Sequence, residues 1–322
     1  MSELLRVEGL KQHFVSGKGI LKSGYTVHAV DGVSFSLKKG ETLGLVGESG
    51  CGKSTLGRSI LKLFEPTAGK VIFEGRDITN LPAKEIRSLR QEMQIIFQDP
   101  TESLNPRHTI EMILVEPFII HNIGTAEQRK RWVNELLVKV GLSESAASKY
   151  PHEFSGGQKQ RIGIARAIAL KPKLIVCDES VSALDVSVQA QILNLLLKLQ
   201  QDLALTLIFI SHDLSVVRHI SDKVAVMYLG KIVEYGDAEC IYQSPKHPYT
   251  QALLSAIPIN HPKFRGRQRI FLTGDVPSPI NLPKGCRFYS RCLKAEKKCQ
   301  QQTPPTVSII DGIHDVTCHL YS

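Results

Sequence analysis

Long apolar runs are missing from this 322-residue sequence. None approaches the roughly 18 consecutive apolar residues that a membrane-spanning helix needs. The first residues, Met1 to Arg6, lack the basic segment and apolar stretch of a signal peptide. An internal repeat and a low-complexity tract are absent as well. We therefore expect a chain that folds in the cytosol.

The composition is that of an ordinary globular protein. Hydrophobic residues make up 42% of the chain and charged residues 22%, which excludes wholesale disorder and collagen-like structure. At roughly 150 residues per domain, the length allows two compact units. Lys and Arg number 40 against 31 Asp and Glu, a net charge of +9. This excess permits contact with nucleic acid or an anionic membrane but requires neither, and we interpret it as a solvated basic face.

Apolar strands alternate with helical patterns over most of the chain. The pattern predicts strands at 4–9, 33–37, 42–46, 71–73, 95–97, 174–177 and 205–210. It predicts helices from residue 53 onward and over 126–140, 157–170 and 187–201. Fully apolar strands separated by helices indicate a parallel sheet covered on both faces. After about residue 257, prolines become frequent and the periodicity fades, so we expect a separate, irregular unit there.

A glycine-rich loop follows the predicted strand at 42–46. Residues 47–54 read Gly-Glu-Ser-Gly-Cys-Gly-Lys-Ser and fit the pattern G-x-x-x-x-G-K-[ST]. Glycines let backbone N–H groups form an anion nest, and the following helix N-terminus adds its positive end. Lys53 then places a charge against the β- and γ-phosphates, and the Ser54 hydroxyl ligates Mg²⁺. The position between an apolar strand and a helix favours a phosphate loop over a simple flexible turn.

A second apolar strand ends in two carboxylates. The run 174–177 leads directly into Asp178 and Glu179. Asp178 at the strand end can hold the Mg²⁺ shell, and Glu179 is placed to activate a water that attacks the γ-phosphate. Alone, such a strand end is common and is most simply solvated. Together with the phosphate loop, it favours nucleotide hydrolysis.

Further motifs resemble those of the ATP-binding subunits of ABC transporters. Residues 154–158, Phe-Ser-Gly-Gly-Gln, are similar to the family's LSGGQ signature with Phe for Leu. Gln98 resembles the Q-loop glutamine, residues 182–185 resemble the D-loop, and His212 resembles the switch histidine. These motifs follow the family's order over nearly the whole chain. The resemblance implies an α/β P-loop NTPase of ABC type: a RecA-like core with a mixed sheet, an antiparallel β-subdomain and a helical subdomain at about 100–170.

The resemblance also implies a role for each site residue. The implied catalytic residues are Glu179, His212, Gln98 and Lys53. The implied Mg²⁺ ligands are Ser54, Gln98 and Asp178. The implied ATP-binding residues are Phe14, which would stack on adenine, and Gly47, Glu48, Ser49, Gly50, Cys51, Gly52, Lys53, Ser54 and Thr55. The residues implied to contact ATP held by a partner subunit are Ser155, Gly156, Gly157, Gln158 and Asp185.

Four of the seven cysteines fall late in the chain, with the spacing C-x5-C-x6-C-x18-C: Cys286, Cys292, Cys299 and Cys318. The C-x2-C pairs of most zinc sites are missing. Four thiolates can carry zinc or an iron–sulfur cluster, and free thiols are an equal alternative on these grounds. A disulfide framework is not expected in a reducing compartment.

The segment after residue 244 is similar to the C-terminal extension of oligopeptide/dipeptide permease ATPases, closest to their F-type subunit. The similarity rests on residues 244–250 (Ser-Pro-Lys-His-Pro-Tyr-Thr), on 277–279 (Pro-Ser-Pro) and on Gly285-Cys286. It implies a [4Fe–4S] cluster on the four late cysteines. It also implies a nucleotide-binding domain over 1–257 and an irregular extension over 258–322.

The implied function is ATP hydrolysis that drives import of oligopeptides or dipeptides across the inner membrane. The implied partners are a second, homologous ATPase in a heterodimer, two permease subunits and a periplasmic or extracellular peptide-binding protein. The subunit would be peripheral, on the cytoplasmic face of the membrane, with no nucleic acid partner. Nickel or glutathione import by the same ATPase class is one alternative. A soluble ABC ATPase acting on nucleic acid is the other, but the chain carries one nucleotide-binding unit rather than a tandem pair.

Overall fold

The computed structural model describes residues 2–16, 24–257, 269–310 and 312–322. The strands are β1 (Glu3–Ser16), β2 (Tyr25–Lys38), β3 (Thr42–Val46), β4 (Ala68–Phe73), β5 (Arg76–Asp77), β6 (Met93–Ile96), β7 (Leu174–Asp178), β8 (Thr206–Ser211), β9 (Lys223–Tyr228), β10 (Lys231–Asp237), β11 (Thr306–Ile310) and β12 (His314–Thr317). The helices are α1 (Lys53–Ile60), α2 (Ala83–Leu89), α3 (Pro100–Ser103), α4 (Ile110–Ile120), α5 (Ala126–Lys139), α6 (Gly156–Ile168), α7 (Val186–Leu203), α8 (Leu214–Ile220), α9 (Ala238–Gln243), α10 (Pro248–Ser255) and α11 (Lys297–Gln301). Single 3₁₀ turns occur at Glu144–Ser148, Pro151–Glu153, Tyr289–Arg291 and His319–Tyr321.

The chain divides into two compact units. The first comprises Met1–Leu4, Lys38–Glu41 and Asn80–Ile210, and the second comprises Leu5–Leu37, Thr42–Thr79 and Ser211–Ser322. Within the described part of the chain, no helix is both long and apolar enough to span a bilayer.

Parallel strands form the core of the first unit. Strand β7 pairs in parallel with β6 on one side and with β8 on the other. Every residue of β7 and β8 is buried, which is the pattern that the unbroken apolar runs predict for strands covered on both faces. Helices α3 to α6 belong to the same unit and fall within the span predicted for a helical subdomain.

Helix α5 shows why the sequence predicted the helix over 126–140 correctly. Thr125 and Gln128 form a capping box at its start, because each side chain bonds the other's backbone N–H. Val133, Leu136 and Leu137 are buried, while five of the six charged residues of this helix are exposed.

Two sheets belong to the second unit. One has the strand order β2-β1-β4-β5, with antiparallel pairing of β4 to both β1 and β5. The other runs β11-β12-β10-β9-β3, in which β3 pairs in parallel with β9 and the remaining pairs are antiparallel. The antiparallel subdomain and the mixed sheet expected from the family resemblance are both present.

The described part of the C-terminal segment corrects one expectation. Residues 269–310 and 312–322 do not form a separate compact unit, because they belong to the same unit as the phosphate loop. Strand β12 extends the mixed sheet by pairing with β10 through Glu234, Tyr235 and Gly236. The β11–β12 pair also gives part of the segment regular structure, where the fading periodicity predicted none. The predicted boundary at 257/258 lies at the edge of the undescribed residues 258–268.

Candidate nucleotide-binding and hydrolysis site

The phosphate loop joins β3 to α1 in the second unit, and two of its glycines are required by geometry. Gly47 has φ +151° and Gly52 has φ +103°, both in the region that favours glycine. A Cβ atom on Gly52 would lie 2.0 Å from the Ala29 carbonyl oxygen, and one on Gly47 would lie 2.2 Å from the Met227 oxygen. No side chain fits at either position, so the backbone itself forms the surface of the loop, as an anion nest requires.

Lys53 begins helix α1 and points back across the loop. Its Nζ donates hydrogen bonds to the carbonyl oxygens of Gly47 at 2.8 Å and Glu48 at 3.0 Å. The side chain is almost fully buried, which holds the ammonium group beside the nest. Ser54 and Thr55 follow in the first turn of the helix and are half-buried. Burial raises the pKa of the Cys51 thiol, so this loop cysteine stays protonated.

Phe14 lies near the end of β1. Its ring is partly exposed and meets Phe64 edge to face, with 5.4 Å between ring centroids. An exposed aromatic face is what adenine stacking requires, and that role stays a prediction.

The acidic pair lies in the first unit, at the carboxyl end of β7. Asp178 is buried as the last residue of the strand. Glu179 follows with φ +46°, a left-handed conformation that is costly for a residue other than glycine. Its N–H donates to the Ile210 carbonyl oxygen at 3.1 Å, which fixes this turn against the end of β8. Strained backbone conformations of this kind cluster at functional sites, because they point a side chain in a direction that an ordinary turn does not allow.

The structure brings Gln98 to Glu179. The Gln98 side-chain amide donates to the Glu179 carboxylate, with 3.1 Å between Nε2 and Oε2. Gln98 is exposed in the loop after β6, and Asp99 caps α3 immediately beyond it. The residue that resembles the Q-loop glutamine therefore contacts the residue predicted to activate water.

His212 follows β8 directly and is exposed. The next residue, Asp213, caps α8 by accepting from the N–H groups of Ser215 and Val216. The strand and the cap together fix the backbone of this histidine on both sides.

The signature motif forms the start of helix α6. The Ser155 Oγ accepts from the Gln158 N–H at 3.4 Å, and the Ser155 N–H donates to the Gln158 side chain at 3.0 Å. This capping box leaves Ser155 and Gly156 exposed at the positive end of a 13-residue helix. Asp185, the residue before α7, is exposed too. These residues form a surface, as expected of groups that contact a ligand held by another subunit.

The four late cysteines all lie within the second unit. The Cys286 N–H donates to the Cys299 carbonyl oxygen at 2.7 Å. Burial, reinforced by the neighbouring thiols, raises the pKa of Cys286 to about 11, and burial also raises the pKa values of Cys292 and Cys318. Among the described residues, no three of these thiols have sulfurs within 4.8 Å of one another, so they are not gathered as a single tetrahedral ion requires.

Sequence reasoning missed two residues that hold the phosphate loop. The Arg291 guanidinium forms a two-point ion pair with the Glu48 carboxylate, with N–O distances of 2.6 and 2.9 Å. The Tyr249 hydroxyl accepts from the Glu48 N–H at 2.9 Å. Glu48 and Arg291 are 243 residues apart, and no local pattern links the two.

Comparison with known proteins shows the family to which the chain belongs. A model of ABC transporters matches residues 30–182, and a model described as "Oligopeptide/dipeptide transporter, C-terminal region" matches residues 233–299. The oligopeptide transport ATP-binding protein AppF of Bacillus subtilis is 54% identical over 99% of this chain and 98% of its own. The dipeptide transport ATP-binding protein DppF of Haemophilus influenzae is 51% identical over 96% and 94%. The corresponding OppF of Salmonella typhimurium is 51% identical over 98% and 95%.

Solved structures agree. A dimeric ATP-binding cassette in a post-hydrolysis state, bound to ADP and Pi, matches with a TM-score of 0.65 and 28% identity over 73% of this chain and 99% of its own. The cbiO1 protein of Clostridium perfringens, part of the cbiONQ ABC transporter complex, matches with a TM-score of 0.66 and 28% identity over 76% and 92%. Fold and site together thus define an ATPase of the ATP-binding cassette class. Within that class, the chain belongs to the family of oligopeptide and dipeptide transport ATP-binding proteins.

Proposed function

We propose that this chain is the ATP-hydrolysing subunit of a bacterial importer of oligopeptides or dipeptides. The observation that carries the proposal is full-length likeness, at 51–54% identity, to ATP-binding proteins named for oligopeptide or dipeptide transport. The likeness includes the C-terminal region particular to such transporters, over residues 233–299.

The proposed chemistry assigns each residue one task. The loop glycines and the Lys53 ammonium bind the β- and γ-phosphates. Ser54, Gln98 and Asp178 would hold Mg²⁺, which neutralises phosphate charge when bound, and a hydroxyl, an amide and a carboxylate are suitable oxygen donors for that ion. Glu179 orients the attacking water and takes its proton.

His212 would contact the γ-phosphate and keep the attacking water in line. The hydrogen bond between Gln98 and Glu179 supports a further role for this pair. A glutamine that contacts both the base and the bound nucleotide can carry the state of the site to the surface on which a membrane partner docks.

The signature surface needs a second ATPase subunit. Ser155, Gly156, Gly157 and Gln158, together with Asp185, would contact ATP bound by that subunit in a head-to-tail dimer. Four of these five residues are exposed and Gly157 is half-buried, which supports this arrangement. Val186, an apolar side chain beside Asp185 that is 83% exposed, supports it as well. The dimeric cassette of similar fold offers a precedent. We infer a heterodimer of two homologous ATPases, closed by ATP and released by hydrolysis.

The remaining proposed partners are two transmembrane permease subunits and, through them, a periplasmic or extracellular peptide-binding protein. The chain would be a peripheral subunit on the cytoplasmic face of the inner membrane. Functionally, residues 1–257 would serve as the nucleotide-binding domain, with its helical subdomain at about 100–170, and residues 258–322 as the extension particular to peptide transporters.

A [4Fe–4S] cluster on Cys286, Cys292, Cys299 and Cys318 completes the proposal. The donor set supports it, because four thiols in one segment suit soft metals. When bound, the cluster would cross-link a segment that has little apolar core of its own. Its thiols must lose their protons on binding, and the raised pKa of Cys286 makes that step pH-dependent.

Co-purification tests the proposed function directly. A tag on this chain is used to purify complexes from detergent-solubilised membranes of the native organism. We expect two permease subunits and a second, different ATPase. Recovery of the chain alone, or with ribosomes or DNA, would contradict the importer proposal. Permeases whose binding protein captures nickel or glutathione would preserve the class and change the cargo.

A further inference from the structure

The residue Glu48 of the phosphate loop is held at three points. Its carbonyl oxygen accepts from the Lys53 ammonium, its N–H donates to the Tyr249 hydroxyl, and its carboxylate receives both terminal nitrogens of Arg291. Only the first of these contacts is local. Tyr249 and Arg291 come from the last quarter of the chain.

Arg291 is itself fixed in place. It ends the 3₁₀ turn Tyr289–Arg291, and its side chain is only 7% exposed. Backbone hydrogen bonds from Tyr289 to Cys286 and from Cys292 to Tyr289 tie the turn to the cysteines on either side. A buried guanidinium with two short bonds to one carboxylate has little freedom, and its planar fork sets the orientation of that carboxylate.

Aromatic packing anchors this turn to the core of the second unit. Phe288, which precedes the turn, is buried against Tyr228 and Tyr249, with ring centroids 5.2 and 5.3 Å apart. The Arg291 guanidinium also lies over the Tyr228 ring, 6.0 Å from its centroid. The ion pair to Glu48 is therefore backed by a rigid cluster rather than by a mobile chain end.

We propose that Arg291 is a positioning residue for the phosphate loop, through which the C-terminal segment holds the loop in its nucleotide-binding conformation. Arg291 fixes the Glu48 carboxylate, the peptide of Glu48 is thereby fixed, and its carbonyl oxygen orients the Lys53 ammonium. Preorganisation of this kind strengthens binding because the loop does not have to be ordered by the ligand. The inference concerns nucleotide binding by this chain and depends neither on the cargo nor on a cluster.

A simpler account invokes charge alone, and it predicts something different. Arg291 adds a positive charge near the phosphates and Glu48 adds a negative one. If only charge mattered, removing Glu48's charge would tighten ATP binding and removing Arg291's charge would weaken it, additively. If positioning matters, removing either charge weakens ATP binding. The double variant then binds ATP as tightly as the single variant with the lower affinity.

The experiment measures Mg-ATP affinity of the full-length chain by displacement of trinitrophenyl-ATP. We expect Arg291→Gln and Glu48→Gln each to weaken affinity about tenfold, the scale of one hydrogen bond to a charged group. The Mg-ATP affinity of the double variant should equal that of the single variant with the lower affinity. Arg291→Lys keeps the charge but loses the fork, and it should lie between Arg291→Gln and the wild type. Should Arg291→Gln fail to fold, Arg291→Lys and Glu48→Gln still carry the comparison.

Arg287→Gln is the matched control. Arg287 comes from the same segment and forms a comparable ion pair, but with Asp31 of β2 instead of the phosphate loop. This variant should lower the thermal unfolding midpoint and leave Mg-ATP affinity unchanged. An equal affinity loss in Arg287→Gln would assign the effect to general loosening of the segment and overturn the proposal. Tighter binding by Glu48→Gln, additive effects, or wild-type affinity in Arg291→Gln would each overturn it too.

Discussion

The Gln98 side-chain amide lies 3.1 Å from the Glu179 carboxylate and donates a hydrogen bond to it. The two residues are 81 positions apart and follow neighbouring parallel strands, β6 and β7. Strands that run in parallel bring their carboxyl ends to the same edge, so the residues just beyond them meet. The amide orients a carboxylate whose backbone is already held in a left-handed turn.

The first prediction concerns this carboxylate as the general base. Glu179→Gln keeps the shape of the side chain but removes its ability to take a proton. We expect normal Mg-ATP binding with turnover slowed about a hundredfold to ten-thousandfold, the usual contribution of a general base. Single-turnover ATP hydrolysis and nucleotide trapping in the assembled transporter measure both quantities.

The exposed Glu102 in α3 offers a control for Glu179. Glu102→Gln removes one negative charge from the same unit without touching the turn after β7, so turnover should be unchanged. Near-normal turnover in Glu179→Gln would show that the base has been assigned to the wrong residue.

The sequence predicted most of the fold because the core strands are short and entirely apolar. The predicted strand 42–46 and the observed β3 coincide, and the helix predicted over 126–140 is α5 to within a residue. Strands β1 and β2 are much longer than predicted, at 14 residues each, because many of their side chains are polar and partly solvated. A strand that is buried on one face only has a weaker hydrophobic pattern in the sequence than a strand that is buried on both faces.

The motifs predicted candidate site residues, but not the distant contacts that hold the phosphate loop. Phosphate-loop glycines, the acidic strand end and the signature serine are local patterns, and each lies where a local pattern places it. The Arg291–Glu48 ion pair joins residues from distant parts of the chain, and an ordinary arginine in an irregular segment carries no mark of its partner. The same holds for the inclusion of the C-terminal segment in the unit that carries the phosphate loop, which depends on the pairing of β12 with β10.

The second prediction is a loss of stability in mild acid, caused by His247. Burial lowers the pKa of this histidine to about 4 from an ordinary value of 6.5. The Glu234 carboxylate accepts from the backbone N–H of His247 and from His314 Nε2, and its negative charge opposes this pKa shift only in part. Between pH 6.5 and 4 the unfolded chain binds a proton that the folded chain does not. Above pH 6.5 His247 is neutral in both states and does not affect stability. As the pH falls from 6.5 towards 4, the free energy of unfolding therefore declines by an amount on the order of 3 kcal/mol.

Urea unfolding at pH 7 and pH 5 measures this decline. His247→Asn retains a side-chain acceptor for the Tyr249 N–H at the start of α10 and removes the titrating group. The variant should lose less stability between the two pH values than the wild type does. The exposed His152 supplies the control, since His152→Gln should decline as the wild type does. If the free energy of unfolding of His247→Asn had the same pH dependence as that of the wild type, the acid sensitivity could not be assigned to His247.

The third prediction compares two glycines of helix α6. A Cβ on Gly157 would lie 2.4 Å from Val188 Cγ1, whereas a Cβ on Gly163 would meet nothing within 4 Å. Gly163→Ala should raise the free energy of unfolding by roughly 0.4–1 kcal/mol, because alanine restricts the unfolded chain more than glycine does. Gly157→Ala should lower it, because Val188 must move.

Chemical denaturation of the two single variants decides this comparison. Gly157→Ala should also reduce transporter ATPase activity, because the signature surface is displaced, while Gly163→Ala should leave activity intact. Equal stabilisation by both substitutions would show that the start of α6 is packed more loosely than the structure indicates.

The fourth prediction is that the purified chain carries iron. Anaerobic preparation should give brown protein with about four iron atoms and matching sulfide per chain, as one [4Fe–4S] cluster requires. Cys292→Ser should lose the colour and the iron. Cys240 lies outside the group of four, so Cys240→Ser should keep both. Colourless, iron-free wild-type protein from the same preparation would reject the cluster and favour zinc or free thiols.

The central claim is that ATP hydrolysis by this chain drives peptide import, and one measurement tests it most directly. The membrane complex is purified through a tag on this chain and reconstituted in liposomes, and its ATPase rate is measured with and without peptide-loaded binding protein. We predict a rate that rises with the loaded binding protein and is abolished by Glu179→Gln. A rate that ignores the loaded binding protein and rises only with nucleic acid would contradict the account.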